Sequence, residues 1–147
     1  MIILSKFAER LKEYMDDKGQ NATSLAKIIK SNRTSVSEYR RGIRLPSAPV
    51  FFEMLNYFNC SADYLLGLTD DGADGKVFNI MPPFGLRLRE VMNFCGFSQY
   101  RIEKELKLSG SMVYNWLSNK SLPAVDSIEK IATHMGCTVD FLLGRES

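Results

Sequence analysis

Histidine is almost missing from this sequence: one residue, His134, in 147. A chain with a single imidazole has no histidine pair for acid–base chemistry and no two-histidine zinc site. Cysteine is scarce as well, at three residues without a CxxC spacing. That odd count argues against a disulfide framework and the common metal or redox motifs, and it suits a reducing compartment. Long apolar stretches are also lacking. Ile2-Ile3-Leu4 and Val50-Phe51-Phe52 fall far short of the roughly 18 residues that span a bilayer, and Lys6 comes too early for a signal peptide. A cytoplasmic protein with no membrane partner is expected. What remains, 45% hydrophobic, 24% charged and 11% aromatic residues, is the composition of a globular chain that can build a core.

Net charge is small too, +2 from 19 Lys and Arg against 17 Asp and Glu, but it is unevenly spread. Residues 27–44 hold Lys27, Lys30, Arg33, Arg40, Arg41 and Arg44 against Glu38 alone, a local excess of five positive charges. Further on, Asp70, Asp71 and Asp74 face only Lys76. This acidic stretch lacks the third-position oxygen ligand and the twelfth-position Glu of a calcium loop, since Gly72 and Met81 stand there. It reads as linker.

The chain repeats itself. A shift of 77 positions lays residues 7–70 on residues 84–147 without a gap, and 16 of the 64 pairs are identical. Phe7, Arg10, Leu11, Glu13, Met15 and Gly19 fall on Phe84, Arg87, Leu88, Glu90, Met92 and Gly96. Leu45-Pro46 falls on Leu122-Pro123, and Cys60, Asp63 and Leu65-Leu66-Gly67 fall on Cys137, Asp140 and Leu142-Leu143-Gly144. A fixed period of this kind means tandem structural units. Two small domains are therefore expected at 1–68 and 84–147, joined by a linker over 69–83 that contains Gly72, Gly75, Pro82 and Pro83.

Within each repeat the apolar spacing predicts five short helices and no strand. The first carries Phe7, Leu11, Tyr14 and Met15 (Phe84, Leu88, Val91 and Met92) and stops at Gly19 (Gly96). Asn21 or Ser98 can cap the second, which buries Leu25 and Ile29 or Ile102 and Leu106. The third begins at Asn32 or Ser109, turns Val36 and Tyr39 or Val113 and Trp116 inward, and ends at Gly42 or Asn119. The fourth follows Pro46 or Pro123, with Phe51, Met54, Leu55 and Phe58 on one stripe. The fifth starts at Ser61 or Thr138, with an Asp in its first turn. Cys60 and Cys137 precede that helix where a small buried side chain is wanted, and Cys95 is placed for partial exposure.

A second and third helix joined by only three or four residues form a helix-turn-helix, the arrangement that fits a helix into a major groove. With Leu25-Ala26-Lys27, Val36, Tyr39, Gly42, Pro46 and Ser61-Ala62-Asp63-Tyr64-Leu65-Leu66-Gly67, the first repeat resembles the five-helix domain of the phage lambda repressor and Cro family, also called Xre-like regulators. The second repeat resembles it through Ser98-Gln99, Val113, Trp116, Pro123 and Thr138-Val139-Asp140-Phe141-Leu142-Leu143-Gly144. Together the likeness covers about 128 of the 147 residues. It implies an all-α fold of two tandem five-helix domains. There are departures. The family's Gln after the cap of helix two is Gln99 in the second repeat but Ala22 in the first, and its mid-helix Ala is Ala26 but then Glu103. Lys30 and Lys107 replace the turn glycine, which predicts a turn of somewhat different shape. The family's buried Arg–Glu pair gives way to Met15 with Arg40, and to Met92 with Leu117.

The resemblance implies that the first turns of the third helix face base edges. These are Arg33, Thr34, Ser37 and Glu38 in repeat one, and Gly110, Ser111, Tyr114 and Asn115 in repeat two. Arg can pair with guanine, Glu can accept from cytosine and Asn can pair with adenine. Asn21, Arg41 and Arg44, with Ser98, Gln99 and Lys120, would contact phosphates. No catalytic residue, metal site or cofactor is expected, since His134 and Cys137 lack a third ligand. The function implied is a sequence-specific regulator of transcription on double-stranded DNA, a repressor, acting as a homodimer or as a pseudo-dimer within one chain. The competing reading is an antitoxin-like or protein-interaction module in which one repeat alone binds DNA. It draws on the weaker charge of residues 104–121, where Lys104, Lys107 and Lys120 face Glu105. The repeats also differ in apolar surface. Phe52 and Tyr57 stand where the twin has Glu129 and His134, while Leu86 and Phe94 stand where the first repeat has Glu9 and Asp17, a pattern open to three readings: docking of the repeats within the chain, dimerisation between chains, or single exposed aromatics of the ordinary kind.

Overall fold

The computed structural model describes residues 2–146, which divide into two compact units between Val77 and Phe78. The described residues contain helices and turns but no strand. In the first unit α1 is Ile2–Asp17, α2 Ala22–Ile28, α3 Arg33–Arg40, α4 Ala48–Phe58 and α5 Ala62–Leu65. In the second, α6 is Phe84–Cys95, α7 Gln99–Glu105, α8 Gly110–Leu117, α9 Val125–Met135 and α10 Val139–Leu142. From α2 and α7 onward every helix boundary recurs at the 77-residue shift. The all-α, two-copy architecture expected from the repeat is thus the one observed.

Helix starts are set by side chains that satisfy orphan amides. Asn21 Oδ1 accepts from the Ser24 amide at 2.9 Å, and Ser98 Oγ accepts from the Arg101 amide at 3.1 Å. Asn32 does the same for Ser35 at the head of α3, as Ser109 does for Met112 at the head of α8. The core follows the expected stripes. Phe7, Leu11, Met15, Leu25, Ile29, Val36, Phe51, Met54 and Leu55 are fully buried in the first unit. In the second, Leu88, Val91, Val113, Trp116, Ile128 and Ile131 fill the equivalent space. In each unit α3 or α8 packs on both the first helix and the second, so burial of one face leaves the opposite face outward.

The turn between the second and third helices differs from expectation. Its lysines do not change its shape in the way the missing glycine suggested, because Lys30 (φ 58°) and Lys107 (φ 55°) both adopt the left-handed conformation that glycine takes readily. An L-residue held there costs about 1 kcal/mol or more. Lys30 has a compensation in the ion pair to Glu53 of α4, at 3.3 Å.

Two exchanges between the repeats only make sense in three dimensions. At the end of the third helix Gly42 lies beside Ala8, while its twin Asn119, also left-handed, lies beside Gly85. Asn119 Oδ1 accepts from the Gly85 amide at 2.8 Å and so ties α6 to the end of α8. A Cβ on Gly85 would collide with the carbonyls of Trp116 and Leu117, so glycine there is the condition for this close approach. Cys60 is buried as expected, but Cys137 is only half-buried. In unit one the Tyr14 hydroxyl bonds the Cys60 thiol, whereas unit two has Val91 in place of Tyr14, with no hydroxyl to make such a bond.

Segment 69–83 is not bare chain between the units. Its first part packs on unit one through Arg10, which donates to the Thr69 carbonyl at 2.6 Å and pairs with Asp70 at 2.8 Å. Its last part packs on unit two, where Asn79 donates to the Arg145 carbonyl and the Arg145 guanidinium sits 4.2 Å from the Phe78 ring centre. Arg145 is itself buried and paired with buried Asp140 at 2.7 Å, a contact that sequence reading missed.

Candidate nucleic-acid interface

Helix α3 is amphipathic because Val36 and Tyr39 are drawn into the core, which turns Arg33, Thr34, Ser37, Glu38 and Arg41 to the opposite side. These five residues line one shallow groove of about 230 Å³. A second groove, about 310 Å³, runs between α2 and α3 and is lined by Asn21, Ala22, Thr23, Arg33, Ser37 and Arg40. Arg33 and Ser37 border both, so they form a ridge one helical turn long between two polar depressions. The expected base readers of repeat one and two of its expected phosphate residues, Asn21 and Arg41, are therefore gathered on one surface. Sequence reasoning overlooked Thr23 and Arg40, which lie on the same surface.

Arg44 is placed differently. Its guanidinium donates to the buried Ser35 hydroxyl at 2.7 Å, pairs with Glu38 at 3.6 Å and lies 4.9 Å from the Tyr39 ring centre. The group expected to meet a phosphate is thus engaged within the unit, and part of its charge is offset by the very carboxylate expected to read a base. Asn21 is likewise committed through Oδ1 to capping α2, which leaves its NH₂ as the group that could donate outward.

The second unit keeps this geometry and changes its chemistry. On α8, Val113 and Trp116 are buried, Ser111 and Tyr114 are exposed and Asn115 is half-buried. Lys120 Nζ sits 5.3 Å from the Tyr114 ring centre, which brings an expected phosphate residue next to an expected base reader. Ser98 Oγ is occupied as the α7 cap, and Gln99 follows it half-buried at the first position of the helix. Gly110, where repeat one has Arg33, leaves room for Glu103; a Cβ there would lie 3.3 Å from a Glu103 carboxylate oxygen. That carboxylate at the head of α8 suits the helix dipole but opposes an incoming phosphate. Also missed from sequence are Tyr100 and Met112, which are 70% and 44% exposed beside these groups. Position-by-position comparison with Thr23 and Ser35, their twins, is the signal that could have exposed them.

His134, the sole imidazole, is bonded to Glu105 at 2.6 Å and joins α9 to α7. Glu105 also accepts from Arg101 at 2.8 Å. The Arg101 hydrogen bond and then the His134 bond hold this carboxylate below its usual range.

A family model described as helix-turn-helix matches the chain twice, over residues 11–65 and 88–142. The two matches are displaced by the same 77 positions as the internal repeat and cover most of both units. No curated protein and no solved structure matches the chain.

Proposed function

Because the chain belongs to the helix-turn-helix family of the Cro and lambda repressor kind, a family of DNA-binding regulators, we propose that it is a sequence-specific repressor that reads the major groove with α3 and α8. Repression needs no more than occupancy of a site that another protein must use. The observation that carries the reading is the surface of α3. An exposed Arg33 and Thr34 at the first turn, Ser37 and Glu38 one turn later and Arg41 at the end form a polar ridge of helix-turn-helix geometry. Such a ridge offers donors and acceptors to base edges while arginine meets the backbone. One chain carries two such helices, so it serves as a pseudo-dimer on a bipartite site.

The alternative, an interaction module in which only unit one binds DNA, draws on Glu103 at the head of α8 and on the exposed Tyr100 and Met112. Selection of duplexes from a random library by the full chain, repeated with Arg33→Ala, tests the proposal. The expected result is a defined site in which the variant loses preference at one position, by about 1 to 3 kcal/mol. Equal binding of all duplexes would overturn it.

A further inference from the structure

In unit one the reading surface is a charged network. Ser35 is buried and bonded to Arg44, Arg44 reaches Glu38, and Arg33 stands exposed one turn before. Every member of that network is replaced in unit two. Met112 takes the place of Ser35, Ser121 of Arg44, Asn115 of Glu38 and Gly110 of Arg33, while Tyr114 replaces Ser37. The result is a helix of the same length that presents a thioether, 44% exposed, and a phenol ring, 54% exposed, together with a half-buried carboxamide. Neither large apolar group is needed for the fold, since Val113, Trp116 and Leu117 already fill the core side of α8.

Resting on the DNA-binding reading above, we infer that the two units recognise chemically different elements: unit one a G·C-containing element, unit two a thymine-rich element read through methyl groups. In the major groove the thymine C5-methyl is the apolar feature, and adenine offers the acceptor and donor pair that a carboxamide matches. Met112 and Tyr114 supply apolar surface for methyls, and Asn115 supplies the amide for the adenine opposite them. Arg33 and Glu38 supply the partners of guanine and cytosine. Division of labour follows from charge. Unit one, with its arginines, carries most of the salt-dependent attraction, and unit two, with Glu103 at the head of α8, contributes selectivity with little of it.

The test uses the full chain and the duplex chosen by random-library selection, with each thymine replaced in turn by deoxyuridine, which lacks only the methyl group. In one block of the site each replacement should weaken binding about fourfold, the factor one buried methyl group is worth. A Met112→Ser, Tyr114→Ser double variant, which installs the residues that unit one already carries at these places, should lose that sensitivity and keep its salt slope. Arg33→Ala should keep the sensitivity and lose preference in the other block. Selective binding that is indifferent to methyl removal, or equally sensitive in the double variant, overturns this inference while the DNA reading stands. Selective binding that the double variant leaves wholly unchanged overturns it too. Failure to select any duplex overturns the DNA reading and this inference together.

Discussion

The guanidinium of Arg10 lies 4.0 Å from the centre of the Tyr64 ring, and one of its nitrogens donates to the Tyr64 backbone carbonyl at 2.5 Å. The twin pair repeats the arrangement: Arg87 donates to the Phe141 carbonyl at 2.7 Å and sits 4.7 Å from that ring. In both units an arginine of the first helix thus anchors the short last helix through a carbonyl that also accepts from a backbone amide, that of Gly67 in unit one and of Gly144 in unit two. Helices of four residues have almost no stability of their own, so this long-range bond joins burial of Leu65 and Leu142 in holding them.

Arg10→Ala should therefore destabilise unit one by about 1 to 3 kcal/mol, since it removes the guanidinium from the Thr69 carbonyl and from the Tyr64 carbonyl, which keeps the Gly67 amide. Asp70→Ala should cost under about 1 kcal/mol, because that carboxylate is fully solvent-exposed. Denaturant midpoints of the two variants distinguish a buried carbonyl clamp from a surface ion pair; equal effects would refute this ranking.

At the close contact of α6 with α8, Gly85→Ala should cost about 1 to 3 kcal/mol, because the new methyl group meets backbone carbonyls that cannot swing aside. Thermal unfolding reads the loss. The reciprocal Ala8→Gly in unit one removes no clash and should show only the ordinary glycine penalty, about 0.5 to 1 kcal/mol.

Lys107→Gly should stabilise unit two by about 0.5 to 1 kcal/mol by relieving a left-handed lysine. Lys30→Gly should gain less, as it also gives up the ion pair to Glu53. A chemical denaturation series on both variants provides the comparison, and a destabilised Lys107→Gly would contradict it.

For DNA binding, the two arginines that follow α3 are expected to behave differently. Arg41→Ala should weaken binding to all sequences and lower the salt slope by about 0.9. Arg44→Ala should change the slope less, because its charge is already shared with Glu38, and should instead alter preference at the base that Glu38 is proposed to meet. Binding isotherms at several salt concentrations separate the two effects.

Acid should loosen the junction of α7 and α9. Glu105 is held below its ordinary value of 4.5 by Arg101 and then His134, so the folded state favours the ionised carboxylate. The stabilisation is complete above that ordinary value and is lost as pH falls through the lowered one. The melting temperature of Glu105→Gln should lie below that of the wild type at neutral pH and converge with it in acid; a gap that persists in acid would count against this account.

Much of the fold was legible in the sequence because its determinants are local. Caps at Asn21, Asn32, Ser98 and Ser109, apolar stripes at helical spacing and a 77-residue period act within a few residues or repeat without gaps, so a reader of the chain can see them. The outward polar surface of α3 was legible for the same reason, since burying Val36 and Tyr39 fixes which side Arg33 and Ser37 face. Only tertiary structure decided where long side chains end. Arg44 could reach a phosphate or fold back on Ser35 and Glu38, and Arg10 could pair with any acid or clamp a carbonyl 54 residues away. Glu103 faces Gly110, and Asn119 holds Gly85, by virtue of helices brought side by side. These contacts join residues that no sequence spacing connects; they exist because packing the apolar stripes sets the helix ends next to one another, and a flexible polar group then takes the nearest partner.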